Sequence, residues 1–253
     1  MGILNVTPDS FSDGGRFDAP AAAEQQALRM ADEGADIIDI GAESTRPGHT
    51  PLDAQEEWAR LEAILPRLLA RLETPLSIDT YKAATARRAL ALGVCAITDV
   101  WGLQRDPDMA HVAAEAGAAV VIMHNREHVD ASLDIVDDLR RFFDRSLDLA
   151  RRAGVDARRI LLDPGIGFGK TQAQNLAALH ATGALGAYGL PVLIGVSRKS
   201  LFAHVLGAAV GDRLVGTLAA NLAARARGAQ AFRVHDVAEH RAALKVWDAI
   251  DKG

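Results

Sequence analysis

The feature that most restricts this chain is a repeat in its hydropathy. Short apolar runs of strand length alternate with longer stretches of helical period from one end to the other. Eight such runs stand at residues 2–6, 36–41, 75–79, 94–99, 119–124, 160–163, 191–197 and 231–235. Each is followed by a polar or glycine-containing stretch. Between them, Trp58, Leu61, Leu65, Leu68 and Leu72 recur at three and four residues and so share one helix face. Asp53 and Glu56 form a capping-box pattern at its start, and Pro66 is expected to kink that helix by removing a backbone bond. Leu139, Phe142, Phe143 and Leu147 make a second apolar stripe, and Leu214, Leu218, Asn221, Leu222 and Arg225 outline a third.

Eight strand–helix units within 253 residues match a single (β/α)8 TIM barrel, one α/β domain spanning residues 1–253. A doubly wound open sheet is the competing arrangement. An open sheet concentrates its polar groups at one switch point, whereas here nearly every strand end carries them, as a barrel rim does. Composition agrees: aromatics are 5% while alanine and leucine dominate, a helix-rich profile unlike that of a β-sandwich.

Twenty-eight Lys plus Arg against thirty-three Asp plus Glu leave a net charge of −5, so no electrostatic footprint exists for nucleic acid or an anionic membrane. An anionic ligand must be met by a few placed cations. The single cysteine, Cys95, permits no intramolecular disulfide and no cysteine-based zinc site. Its neighbours Val94, Ala96 and Ile97 make it an expected core residue, and the reducing cytoplasm is the plainest setting. No basic leader or long apolar stretch follows Met1, so neither export nor membrane embedding is expected. The first strand should be short, implying either an earlier start or a bare barrel floor.

The strand ends carry the chemistry. Asn5 opens a loop dense in turn formers and oxygen donors, residues 5–15, which is either a mobile connection or a lid. Thr45 and Arg46 beside the rigid Pro47-Gly48 turn suit an oxyanion. Asp79 and Asp163 end two strands; each alone reads as a helix N-cap, but on a shared rim both can accept from an N–H-rich heterocycle. The run Gly165-Ile166-Gly167-Phe168-Gly169-Lys170 differs from a dinucleotide fingerprint, its third glycine coming one residue early, and reads instead as a tight ligand-contacting loop. Arg198 and Lys199 follow the seventh run. Arg233 and His235 share a face of the eighth, and the rim after these two strands is a frequent phosphate site.

Six segments in this order, residues 1–15, 34–48, 77–80, 163–170, 197–200 and 233–236, give the chain a whole-length resemblance to the dihydropteroate synthases, a sulfonamide-target family of folate biosynthesis. The resemblance implies a cytoplasmic, homodimeric TIM-barrel transferase. It would condense 6-hydroxymethyl-7,8-dihydropterin diphosphate with 4-aminobenzoate, using Mg2+, to give 7,8-dihydropteroate and diphosphate. Asp79 and Asp163 then match the pterin-binding carboxylates, with Lys199 and Thr98 completing the ring's edge. Asn5 matches the Mg2+ contact. Thr45, Arg233 and His235 fall on the diphosphate side, with Arg46 a further candidate there and Val234 a further substrate-binding position, and Phe11, Asp13, Pro47, Phe168 and Ser200 fall around aminobenzoate. Asp79, Asp163, Lys199, Arg233 and His235 form the implied catalytic set, without a strong general base. The family usually has asparagine where Thr98 stands, so pterin recognition there is expected to be weaker, to pass through water, or to be made good by Asp99. A methyltetrahydrofolate-using methyltransferase domain shares the fold and acids but has no use for a diphosphate site; a pterin-binding protein without turnover is the other alternative.

Overall fold

A computed structural model describes residues 1–7, 19–43 and 50–251. Strands β1 (Gly2–Asn5), β2 (Ile38–Gly41), β3 (Leu76–Asp79), β4 (Ala96–Asp99), β5 (Ala119–Met123) and β6 (Ile160–Asp163) form one parallel sheet in chain order. β7 (Leu193–Ile194) and β8 (Ala231–Phe232) form a second parallel pair. Isolated parallel bridges, Leu162 to Val192 and Gly2 to Val234, join this pair to both flanks of the larger sheet. The backbone bonds at these seams are Leu162 N to Pro191 O, Ile3 N to Val234 O and Val234 N to Met1 O, each 2.9 Å. Pairing thus runs round all eight strands of the expected TIM barrel, but two of the seams rest on single bridges. β1 has four residues, as many as β2, β3, β4 and β6, so the first strand is no shorter than its neighbours.

Around the strands lie α1 (Ala19–Asp32), α2 (Ala54–Leu61), α3 (Leu65–Arg71), α4 (Ala83–Leu92), α5 (Met109–Ala116), α6 (Ile135–Ala153), α7 (Gln172–His180), α8 (Thr182–Leu185), α9 (Leu201–Leu206), α10 (Leu214–Arg225) and α11 (Val237–Asp251). None of these is long and apolar enough to cross a membrane. Strand periodicity sorts the interior into two compartments. Leu4, Ile38, Ile40, Ile78, Ile97, Val120, Ile122, Leu162, Ile194 and Phe232 belong to the core cluster shared with helix residues such as Leu65, Leu68 and Phe143. Residues of the other parity, Ile3, Asp39, Ser77, Asp79, Thr98, Val121 and Asp163, are equally buried but outside that cluster, inside the barrel.

Several expectations are corrected. The helix expected to kink at Pro66 is two helices: the Asp53–Glu56 capping box opens α2, and Pro66 is the second residue of α3, where its missing N–H leaves no bond unmade. β7 and β8 are shorter than the apolar runs because His235 N bonds to the Ser197 hydroxyl, at 3.2 Å, instead of to a strand carbonyl. Cys95 is exposed, preceding β4 above a surface recess lined by Leu90, Gly117 and Arg159, so it is no core residue. On α10 the buried face is Gly216, Thr217, Asn221 and Ala224, while Leu214, Leu218 and Leu222 are half-buried. Small residues face inward because α9 lies so close: a Cβ on Gly216 would sit 2.7 Å from the Phe202 ring.

Candidate active site

The middle of β2 reads Ile38-Asp39-Ile40, and strand alternation turns Asp39 into the barrel on the same side as Gly41. It is fully buried. Its Oδ1 accepts from Ser77 Oγ at 2.6 Å on β3 and from Thr98 Oγ1 at 2.9 Å on β4, while Oδ2 accepts from Arg233 Nε at 2.6 Å. Arg233 also donates through Nη2 to Asp79 Oδ2 at 2.7 Å. Burial works against the guanidinium's charge, but Asp39 and Asp79 outweigh it and leave its pKa above the ordinary value. Burial likewise pushes the Asp79 carboxyl above the usual carboxylate range; Arg233 opposes that shift and Asp39 adds to it. The second Asp79 oxygen, Oδ1, is buried with no hydrogen-bond partner. A buried acceptor in this state is costly unless a ligand brings the donor.

Asp163, at the end of β6, accepts from Gly165 N at 2.8 Å through Oδ1, and burial raises its pKa against the opposing charge of Lys199. Gly165 must be glycine. Its φ is +63°, and a Cβ would lie 1.8 Å from the His124 carbonyl oxygen. The stem of Lys199 passes over Gly167, and its Nζ donates to the Ile166 carbonyl while standing 4.4 Å from the Phe168 ring centroid. Burial lowers the Lys199 pKa to about 8, with Asp163 opposing. Asp79, Asp163, Lys199 and Arg233 therefore converge in one bowl, close enough to perturb one another's charge.

His235 meets Ser197 at the rim, Nδ1 to Oγ 2.9 Å. Arg198 points away from this group and pairs with Asp236, Nε to Oδ2 3.0 Å. Val234 faces the helix layer, its N–H and C=O both bonded to β1 and its flank, so it contributes by fixing Arg233 and His235 rather than by offering its own groups. Asn5 ends β1 half-buried, level with Gly41. Ser200 is exposed just before α9. Phe11, Asp13, Thr45, Arg46 and Pro47 lie outside the described residues.

Thr98 spends its hydroxyl hydrogen on Asp39. Asp99 does not stand in for the missing asparagine. It faces outward and accepts from Trp101 N and Leu103 N, each at 2.8 Å, which fixes the following loop; burial pushes its carboxyl up to about 6 against those two bonds. Asp39 and Ser77 are the site members that attention to strand ends passes over. Their signal was a charge in the middle of an apolar strand, on the face shared with Gly41. No group of three or more His, Cys, Asp or Glu among the described residues is placed to hold a metal.

A family model described as pterin binding enzyme matches residues 1–235. A dihydropteroate synthase of Clostridium beijerinckii is 43% identical over 251 residues, 99% of this chain and 93% of that protein. The dihydropteroate synthase of Clostridium difficile, solved in the presence of pteroic acid, superposes with a TM-score of 0.96 at 47% identity, covering 99% of this chain and 95% of its own. That of Xanthomonas albilineans with 4-aminobenzoic acid gives 0.95 at 44% identity, with 99% and 92% covered.

The buried ion triad has a testable pH signature. Arg233→Met leaves two carboxylates facing each other without a counter-charge and should cost about 3–5 kcal/mol of stability at pH 8. Asp79, already raised, is raised further in the variant. It then takes up a proton as pH falls, so the deficit shrinks toward pH 5. Urea denaturation at both pH values checks this; a deficit as large at pH 5 as at pH 8 contradicts it.

Proposed function

The chain belongs to the family of pterin-binding enzymes, and from that premise we propose that its bowl carries out the dihydropteroate synthase reaction. The observation that carries this reading is the Asp79 Oδ1 acceptor, buried and unpartnered beside a second buried carboxylate, Asp163. A dihydropterin ring supplies what such a pair lacks, several N–H donors on one flat edge. Lys199 then faces the ring's carbonyl side. Arg233, with Nε and Nη2 held by the aspartates, directs its remaining N–H group to the diphosphate, which His235, Thr45 and Arg46 share.

The carbon–oxygen bond between the pterin methylene and diphosphate breaks, the electron pair leaving with diphosphate. The nitrogen of 4-aminobenzoate then forms the new bond and releases one proton. Asp79 and Asp163 stabilise the electron-poor pterin between these events, and the cations take the charge of the leaving group. An aniline nitrogen that has just formed a bond is acidic enough to lose its proton to water, so no strong base is required. Phe168, Ser200 and the Lys199 stem, with Phe11, Asp13 and Pro47, surround the aminobenzoate.

The residues present fit Mg2+ held chiefly by diphosphate and water: Asn5 offers one hard amide oxygen, and the described residues contain no carboxylate cage. When bound, the ion neutralises charge on the departing diphosphate. A cytoplasmic homodimer of one-domain chains, residues 1–253, completes the proposal. Supporting self-association is an apolar groove of about 390 Å3 between α7, α9 and α10, with Val205, Leu206 and Val215 exposed beside it.

Diphosphate release from dihydropterin diphosphate and Mg2+, followed with and without 4-aminobenzoate, tests the assignment. Aminobenzoate-dependent dihydropteroate is expected; folded protein that makes none contradicts it. The pH profile gives a second check. Lys199 loses its charge as pH rises through about 8, so kcat/KM for the dihydropterin diphosphate should fall on that alkaline side. Lys199→Arg, charged throughout, should lack that limb. An unchanged limb would remove Lys199 from the binding step.

A further inference from the structure

Behind the bowl lies a second buried lysine that the reaction does not use. Lys170 is only 7% exposed, and its Nζ stands 2.8 Å from His124 Nδ1, 2.8 Å from the Gly165 carbonyl and 3.1 Å from the Phe168 carbonyl. With the His124 carbonyl a fourth, more distant acceptor at 3.5 Å, the three hydrogens of an ammonium group are fully used. The imidazole is held as a pure acceptor toward Lys170, because its other nitrogen, Nε2, donates to Asp138 Oδ2 at 3.1 Å. Burial, with Lys170 and Arg126 adding to it, lowers the His124 pKa to about 2, so the ring stays neutral and keeps Nδ1 as an acceptor.

The two carbonyls that Lys170 grips are the ends of one turn, closed by Phe168 N to Gly165 O at 3.2 Å. That turn presses so closely on the His124 backbone that Gly165 has no room for a side chain. Its other groups face the bowl. Gly165 N fixes Asp163, the Ile166 carbonyl accepts from Lys199 and the Phe168 ring lies beneath the Lys199 ammonium. A second anchor, Asn175 Oδ1 on α7, accepts from Gly167 N at 2.7 Å.

We propose that Lys170 is a positioning residue: its buried ammonium clamps the 165–168 turn from behind and thereby sets where Asp163, Phe168 and Lys199 meet the substrates. This rests on the dihydropteroate synthase reading for its effect on turnover, but not for its effect on Lys199. The charged groups around the clamp are consistent with such tension. Burial works against the Lys170 charge together with Lys199 and Arg126, and this outweighs the support of Asp163 and Asp138 to bring its pKa to about 7. Lys170 makes no hydrogen bond to Asp163 or Lys199; it reaches them through the turn and, through space, by its charge. Losing it would leave the Phe168 carbonyl without this donor and the Gly165 carbonyl with only the turn's own Phe168 N–H, and the turn would shift to find other donors.

A double-mutant cycle separates positioning from bulk stability. Lys170→Met should lower kcat/KM by about tenfold or more in the wild-type background, but by no more than about threefold when Lys199 is already methionine, because coupled residues are not additive. Independently of turnover, the Lys199 pKa, read by NMR on labelled lysines in the ligand-free protein, should move from about 8 in Asn175→Ala, which loosens the turn without removing a charge, as well as in Lys170→Met, where loss of a neighbouring cation adds to the shift. Multiplicative losses with an unmoved Lys199 pKa overturn the proposal. A wild-type protein without turnover would instead overturn the reaction assignment and leave the pKa arm to decide the clamp. If Lys170→Met does not fold, Asn175→Ala loosens the same turn from its other side and must move the Lys199 pKa in the same direction; an unmoved value there is equally decisive against the clamp.

Discussion

The guanidinium of Arg233 between Asp39 and Asp79 is the constraint around which the rest of the molecule is arranged. Its bonds reach 194 and 154 residues back along the chain, tying β8 to β2 and β3 across the barrel interior. The backbone seam beside it, from β8 to β1, rests on an isolated bridge. The Asp39–Arg233–Asp79 triad ties the last strand to the first ones at this point, where the sheet itself is thinnest. The arrangement also sets charge: breaking a buried pair costs about 3–5 kcal/mol, so Arg233 stays put and the acids around it stay ready.

That readiness takes the form of incompleteness. Asp39 is saturated by Ser77, Thr98 and Arg233, and so it is a structural carboxylate. Asp79 is satisfied on one oxygen only, and Asp163 is braced by Gly165 on one oxygen. Two carboxylates that each keep an oxygen toward the bowl, with Lys199 opposite, define an acceptor edge for a planar, N–H-rich ring.

Much of this was legible in the sequence, for physical reasons. Barrel strands are buried on both sides and linked by helices, so the alternation of short apolar runs and helical stripes gave the eight units directly. Asp79, Asp163, Lys199 and Arg233 stood out because strand ends gather on one rim. Asp39 was hidden because it lies two residues deeper, where an aspartate inside Ile-Asp-Ile signals a buried pairing whose partner, Arg233, is far away in sequence. Lys170 was hidden inside a glycine-rich motif that draws attention to the front of the turn, while the lysine holds its back. Cys95 was misjudged because apolar neighbours do not reveal that a strand has reached the edge of its helix layer. The α10 leucines were misjudged because close helix contact at Gly216 selects small residues for the buried face.

The most direct test of the central claim is a crystal structure of this protein with 6-hydroxymethyl-7,8-dihydropterin. The account predicts the ring's N–H edge within about 3 Å of Asp79 Oδ1 and of the Asp163 carboxylate, with Arg233 still bonded to Asp39. A pterin bound elsewhere, or bound in the bowl with Asp79 Oδ1 still unpartnered, would contradict it.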